Sequence, residues 1–422
     1  MRNMLSLPAT TALLLLAASP AHGLLPLAAR SEVPLPPSTD PFYQPPLNFD
    51  AVSPGGILRN RTLTFISPYV NATNATAHQF LYRTTDSNNL PAVALTTLLV
   101  PFNAQPNKLL SFQFAYDSAS VDCSPSYNLY VPTNDHAEAA VLTQALAEGI
   151  PVSYPDYEGP TAAFTNGVQS GQAVLDSIKA IISSNIPPFD SKNADISVVL
   201  AGASGGALAS NFALELLSSY APSLTSHIVG ALLTAMVPNV TSIYYTITGT
   251  PNAGLIPSSF LGLAKQNLAF ASYLSHHLVP SSAQSFLAAG TRCVFPNLAA
   301  YANVSIESYF DVPDFVNQPV PASVIHNVTE WGAHGTPKVP IFAYKGIADE
   351  LSPVADSDKL IKQYCNAGAN INYVRAIGAN HGDAAFLGFT AGWEWLMDRL
   401  DRKLVQGGCS TQNVTATATS RL

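Results

Sequence analysis

The stretch Ile196–Phe212, ISVVLAGASGGALASNF, constrains the fold more than any other part of the chain. Its first half is a near-continuous apolar run, the pattern of a strand buried on both faces. From Gly205 to Tyr220 the apolar residues return at helical spacing. Between the two lies Gly202-Ala203-Ser204-Gly205-Gly206, a G-x-S-x-G pattern. In such a strand–turn–helix elbow the serine occupies a strained backbone conformation that lifts its hydroxyl clear of the sheet. Strand and helix then pass so closely that the positions two before and two after the serine must be small, and here both are glycine. Five residues can match by chance. The buried strand before them and the helix after them are what make Ser204 a candidate nucleophile and not merely a small residue in a tight turn.

The rest of the chain supplies a sheet for that strand. HQFLYRTTDSNNLPAVALTTLLVPF reads as two strands joined by a polar turn, and KLLSFQFAYDS as a further strand ending in a polar loop. VLTQALAEGIPVSYPDYEG reads as a helix, a short strand and a turn, and NGVQSGQAVLDSIKAIISS as a helix. HIVGALLTAMV, VPIFAYKGIAD and INYVRAIGANH are strands, the last two each followed by a helical segment. Apolar strands alternating with helices mean an α/β fold around a mostly parallel sheet. Residues 238–325 break the pattern. They hold no strand signal, show helical spacing in FLGLAKQNLAFASYLSHHL, and carry charge only at Lys265, Arg292, Glu307, Asp311 and Asp314. Too long for a simple crossover, this segment is expected to be a helical cap inserted into a catalytic domain made of residues 24–237 and 326–422. The Ser/Thr-rich tail after Gly407 is expected to fray, apart from Cys409.

A serine hydroxyl is a weak nucleophile until a base takes its proton. For this type of elbow the chain order is Ser, then acid, then His, with the acid ending a late strand and the histidine following the last one. Between Ser204 and His381 the aspartates are Asp311, Asp314, Asp349, Asp356 and Asp358. Asp349 alone sits just past a strand; its neighbour Glu350 is the acid the same turn could present instead. Asp311 and Asp314 fall in the inserted segment, and Asp356 and Asp358 in a following helix. His381 occupies the loop GANHGDAAF after the last strand, where the base belongs. His227 begins a strand, His276 and His277 lie in the insertion, and His326 and His334 precede the acid. An oxyanion formed at Ser204 needs two donors. One is the backbone N–H of Gly205, and the other should come from the loop after an early strand, FAYDSASVDC. Asp117 is the position there, serving through its own N–H or as a protonated acid, unless it only caps its turn.

The N-terminus MRNMLSLPATTALLLLAASPAHG has a basic residue, a short apolar run and small residues near Ala21 to Gly23, so residues 1–23 read as a secretory signal peptide, not a membrane anchor. Sequons at Asn60, Asn71, Asn74, Asn239, Asn303, Asn327 and Asn413 and the four cysteines Cys123, Cys293, Cys365 and Cys409 fit an extracellular protein with two disulfides, of which spacing alone allows three pairings. With 11% charged residues, net charge −8 and no basic stripe, nucleic acid is not an expected partner. No C-x-x-C or H-E-x-x-H motif points to a metal, and no cofactor is expected.

Together YRTTD, YDSASVDCSPSY, DYEGPTAAFTNG followed by AVLDSIKA, the elbow GASGGA, ADELSPV and the later NHGD make the chain resemble the fungal secretory lipase family, the lipase A type of α/β-hydrolase, from Asp40 to about Cys409. The resemblance implies an α/β-hydrolase fold with a helical lid at 238–325, and a secreted esterase or lipase acting on an ester or lipid substrate. It implies Ser204, Asp349 and His381 as catalytic residues, Asp117 and Gly205 at the oxyanion hole, and disulfides Cys123–Cys293 and Cys365–Cys409. The chain departs from the pattern at its end, only thirteen residues after Cys409. A missing C-terminal flap would leave the acyl channel more open and favour smaller or bulkier esters. The alternatives are a deacetylase acting on a secondary metabolite such as a sesquiterpenoid toxin, a secreted serine peptidase, and a non-catalytic binding protein. A peptidase would need charged groups to clamp a peptide terminus, which the insertion scarcely supplies. A binding protein would lack a triad residue.

Overall fold

A computed structural model describes residues 33–71, 75–132, 138–189 and 195–416. The expected signal peptide and the Asn74 sequon lie outside them. One ten-stranded sheet forms the centre. Its strands are β1 (Ile57–Thr64), β2 (Ala75–Thr85), β3 (Pro91–Pro101), β4 (Lys108–Gln113), β5 (Val152–Pro155), β6 (Ser197–Ala203), β7 (Ile228–Thr234), β8 (Ile341–Gly346), β9 (Ile371–Ile377) and β10 (Cys409–Thr415). In space they run β1-β2-β3-β5-β4-β6-β7-β8-β9-β10. The β1–β2, β2–β3 and β3–β5 pairs are antiparallel, and every pair from β5 through β10 is parallel. β6 and β8 are buried along their whole length, and β4 everywhere past its first residue, Lys108. That is why their sequences lack the polar alternation of a half-exposed strand.

Twelve α-helices flank or interrupt this sheet among the described residues: α1 (Pro125–Asn128), α2 (Ala139–Ala147), α3 (Gly167–Ile182), α4 (Gly205–Tyr220), α5 (Val240–Ile247), α6 (Leu255–Ala264), α7 (Leu268–His277), α8 (Pro280–Leu287), α9 (Val294–Tyr301), α10 (Pro319–Thr329), α11 (Val354–Asn366) and α12 (His381–Leu400). Helices alternate with the parallel strands along the chain, and the architecture is that of an α/β-hydrolase. All of α5 to α10 falls between β7 and β8. The buried side chains of this stretch form a second apolar cluster, built on Tyr244, Phe260, Phe270, Phe286, Phe310 and Phe315. Phe310 and Phe315 stack with ring centroids 4.0 Å apart. The polar groups of α5 and α7 are closed by Asn239 and Asn267, whose side chains accept from the N–H groups of Ser242 and Phe270.

The ends of the sheet differ from expectation. β1 is an edge strand that the polar sequence RNRTLT did not advertise; it pairs with β2. The tail expected to fray instead forms β10, in register with β9 from Cys409 opposite Ile371 to Thr415 opposite Ile377. The backbone ladder, not side-chain burial, holds it: most of its residues are exposed. Two disulfides join Cys123 to Cys293 and Cys365 to Cys409. The first ties the loop after β4 to the start of α9, and the second anchors β10 to α11. Asn60, Asn71, Asn303, Asn327 and Asn413 are exposed, whereas Asn239 is half-buried and engaged as a helix cap.

Candidate active site

The elbow is as tight as its glycines require. Ser204 has φ 51° and ψ −118°, a conformation costly for a non-glycine residue and one tolerated where function demands it. Its N–H bonds to Thr234 O at the end of β7. A Cβ at Gly206 would lie 1.9 Å from Gln113 O of β4, and one at Gly202 would lie 2.5 Å from the backbone of Gly206. Only hydrogen fits at either position. The serine therefore sits at the carboxyl end of the sheet with the N-terminus of α4 directly behind it.

His381 reaches Ser204 from the far side of the sheet. Its Nε2 is 2.9 Å from Ser204 Oγ, and its Nδ1 is 2.8 Å from Asp349 Oδ2. The sequence suggested a loop at His381; the structure places it as the first residue of α12, with Asn380 capping the helix. The cap fixes the backbone from which the imidazole projects. Glu350, the rival acid, bonds the backbone N–H of His381 at 2.9 Å and leaves the imidazole to Asp349. Asp349 and Glu350 thus divide the work of one turn: one faces the ring, the other its main chain. Asp356 lies in the first turn of α11, and Asp358 pairs with Arg375 and Tyr373. His277 pairs with Asp311, His326 with Glu330, and His334 lies tilted against the Phe212 ring.

Every lone-pair direction of Asp349 is occupied. Oδ1 accepts from the N–H groups of Leu351 and Ser352, both at 2.9 Å. Oδ2 accepts from His381 Nδ1 and, at 2.7 Å, from Lys345 Nζ. Burial would raise the carboxyl's pKa, but the hydrogen bond and charge of His381, followed by those of Lys345, outweigh it and hold the group well below the usual carboxylate range. Lys345 is the residue that sequence reasoning missed. It lies inside β8, its side chain is fully buried, and its ammonium also donates to Met236 O at 2.7 Å. Burial pulls its pKa down while Asp349 opposes the shift. The signal was present: a lysine in the apolar run VPIFAYKGIAD, four residues before the acid.

Asp117 lies against the elbow from the other side. It has φ 43°, is buried, and its Oδ1 would be 2.0 Å from a Cβ at Gly205. The N–H of Gly205 is the first of α4, and such groups have no acceptor within their own helix. The positive end of the helix dipole points the same way. Among the described residues no cation pairs with Asp117, and burial pushes its pKa up to about 7. Two more buried carboxyls stand beside it. Burial raises Glu138 to about 8 against the Ala115 N–H bond that lowers it, and burial followed by the charge of Asp117 raises Glu158 well above its ordinary value. The grouping of Glu138 and Glu158 around Asp117, which raises the pKa of all three acids by burial, was not legible in the sequence, because they come from separate segments of the chain.

Two cavities meet at Ser204. One, of about 60 Å³, is almost wholly apolar and runs between α4 and the helices α5 and α6, past Leu208, Val240, Ile243, Tyr244 and Phe260. The other, of about 450 Å³, opens beside His381 and is lined by Asn128, Glu138, Asn252, Phe295, Glu350 and Phe386 among others. A hydroxyl with an imidazole in contact, a carboxylate behind that imidazole, a helix N-terminus and flanking cavities are the parts acyl transfer needs.

Residues 131–408 match the family model described as Secretory lipase. The chain is 39% identical to the Trichothecene C-3 esterase of Fusarium sporotrichioides, over 93% of this chain and 91% of that protein. It is 37% identical to Lipase A of Arthroderma benhamiae, over 93% and 86%. Among solved structures it is similar to Candida antarctica lipase A in its closed state, with a TM-score of 0.82, 26% identity and coverage of 93% and 92%. The chain belongs to the secretory lipase family.

Proposed function

We propose that the protein is a secreted serine carboxylic-ester hydrolase of lipase type that works through an acyl-enzyme on Ser204. The observation that carries this reading is the unbroken contact from Ser204 Oγ through His381 to Asp349. Ser204 attacks the ester carbonyl while His381 Nε2 takes its proton. The Gly205 N–H and Asp117 steady the oxyanion, Asp349 holds the imidazole with Nδ1 protonated, and His381 returns the proton to the departing alcohol. Water then repeats the cycle on the acyl-enzyme. The disulfides and the family's secretory character support an extracellular site of action, where bridges persist. The helices between β7 and β8 serve as a lid over Ser204. The test is labelling with a fluorophosphonate probe together with hydrolysis of 4-nitrophenyl butyrate. The wild type should label and turn over; Ser204→Ala should do neither, with activity reduced at least about 10³-fold. Equal activity in the variant would end the proposal. A second reading, an esterase acting on an acylated secondary metabolite, is favoured by the 39% identity to a Trichothecene C-3 esterase.

A further inference from the structure

Both outer strands of the sheet carry a sequon. Asn60 lies in β1 and Asn413 in β10, the two ends of the strand order, and both residues are exposed. An edge strand presents unpaired N–H and C=O groups on which another chain can add a strand, and proteins blunt such edges with charge, proline, bulges or a cover. β1 has two of these devices. Its register on β2 shifts between Ile57 and Arg59, and Arg59 and Arg61 carry charge along it. β10 lacks them. Its seven residues, CSTQNVT, hold no charge and no proline, and they follow β9 in continuous register. Among the described residues, no backbone segment bonds to its outer side. We propose, resting on the secretory route above, that an N-linked glycan on Asn413 guards the β10 edge and keeps the chain from pairing strand to strand with a second copy of itself.

The backbone puts Asn413 where a guard has to stand. Gly408 O accepts from the Ile371 N–H, and the Ala416 N–H donates to Ile377 O, so the even-numbered residues of this stretch bond to β9. Successive residues of a strand turn their N–H and C=O groups to opposite sides. Cys409, Thr411, Asn413 and Thr415 therefore aim theirs at the open side. Strand alternation also sets the faces. Asn413 shares the α11 face with Cys409, which is bridged to Cys365, and with its cross-strand neighbour Arg375, which reaches Asp358. Val414 takes the opposite face and packs on the core. An added strand would lie about 4.8 Å from β10 and bring a side chain directly beside Asn413. A branched glycan is too bulky to share that space. Asn413-Val414-Thr415 thus supplies through a sugar what the strand lacks in charge.

The test secretes the full chain from a fungal host and maps its glycopeptides; Asn413 should be occupied in most molecules. Asn413→Gln and Thr415→Ala each remove the sequon, the second leaving the asparagine in place. Both should dimerise in analytical ultracentrifugation, with a dissociation constant at least about tenfold below that of the wild type. Amide exchange in residues 409–415 should slow in the dimer. Asn413→Lys, which carries no glycan but puts a charge on the edge, should be as monomeric as the wild type, and so should Asn60→Gln. Secreted protein with glycans at other sequons and none at Asn413 overturns the proposal and leaves secretion standing; a chain retained in the cell without any glycan overturns both. A glutamine variant as monomeric as the wild type, or a dimer with exchange in residues 409–415 as fast as in the monomer, also overturns it. If the glutamine, alanine and lysine variants are all retained in the cell, the glycan is a folding aid and the edge role is lost.

Discussion

Asp349 shares one oxygen between two donors, the Lys345 ammonium and the His381 ring, and that sharing decides how the imidazole is held. Lys345 and His381 both bond Oδ2, at 2.7 and 2.8 Å, inside a fully buried pair. Removing one member of a buried ion pair strands the other, which typically costs ~3–5 kcal/mol. Lys345→Met should therefore lower unfolding free energy by about 3 kcal/mol in urea titrations and reduce kcat while leaving KM nearly unchanged, because the imidazole loses its fixed partner. A variant with full kcat would show that His381 alone suffices to hold the acid. Asp117 makes the second residue-scale prediction. Its folded pKa is raised, so its proton is bound below about pH 7 and lost as pH rises through that value. The stability tied to this proton is complete below ordinary carboxyl pKa values and drains between about pH 4 and 7. If the protonated acid donates to the oxyanion, kcat/KM falls as pH rises through about 7. Asp117→Asn, neutral at every pH, should abolish that alkaline fall. An identical alkaline limb in the asparagine variant would assign the donor to the backbone N–H. The acids that face Asp117, Glu138 and Glu158, would then be left to explain the limb.

At the scale of elements, β10 is the case where covalent and backbone forces replace burial. The strand is exposed but bonded to β9 along its length and fastened to α11 by Cys365–Cys409. A bridge closing 44 residues removes denatured-state entropy worth about 4 kcal/mol in the chain-entropy model. Cys409→Ser should lower the unfolding free energy by an amount of that order and speed amide exchange in residues 409–415 in hydrogen-exchange mass spectrometry. Unchanged protection would mean that the ladder alone holds the edge. Glu215 of α4 does comparable work at the other end of the insertion. Its carboxylate accepts from the N–H groups of Gly332 and His334 and from the Tyr364 hydroxyl. It thereby pins the chain as it returns from the inserted helices to β8, and so sets where Lys345 and Asp349 emerge.

For the whole molecule, the helices between β7 and β8 carry their own apolar cluster, and α5 and α6 line a cavity that reaches Ser204. Exposed Leu268, Leu287 and Phe295 lie on this same insertion. If the insertion opens on a lipid surface, hydrolysis of tributyrin should jump as its concentration crosses the solubility limit. A smooth saturation curve through that limit would mean that the lid is not gated by an interface.

Much of this protein could be read from local order along the chain. Gly202, Ser204 and Gly206 are intelligible in sequence because an elbow is a property of consecutive residues, set by backbone sterics. Asp349 and His381 followed from where strands end, since apolar periodicity marks strands and the fold dictates which strand ends meet. Strands β1 and β10 were illegible for the opposite reason: their residues are held by ladder hydrogen bonds at the sheet edges, which any sequence can make. Lys345 behind the acid, the buried carboxyls around Asp117, and the unequal cavities at Ser204 exist only after distant segments converge. By itself the chain determined its sheet, its elbow and the order of its reactive groups, through sterics and hydrophobic period. Tertiary structure alone decided how those groups are charged and how much room they serve, because desolvation and cavity shape depend on neighbours that sequence does not place.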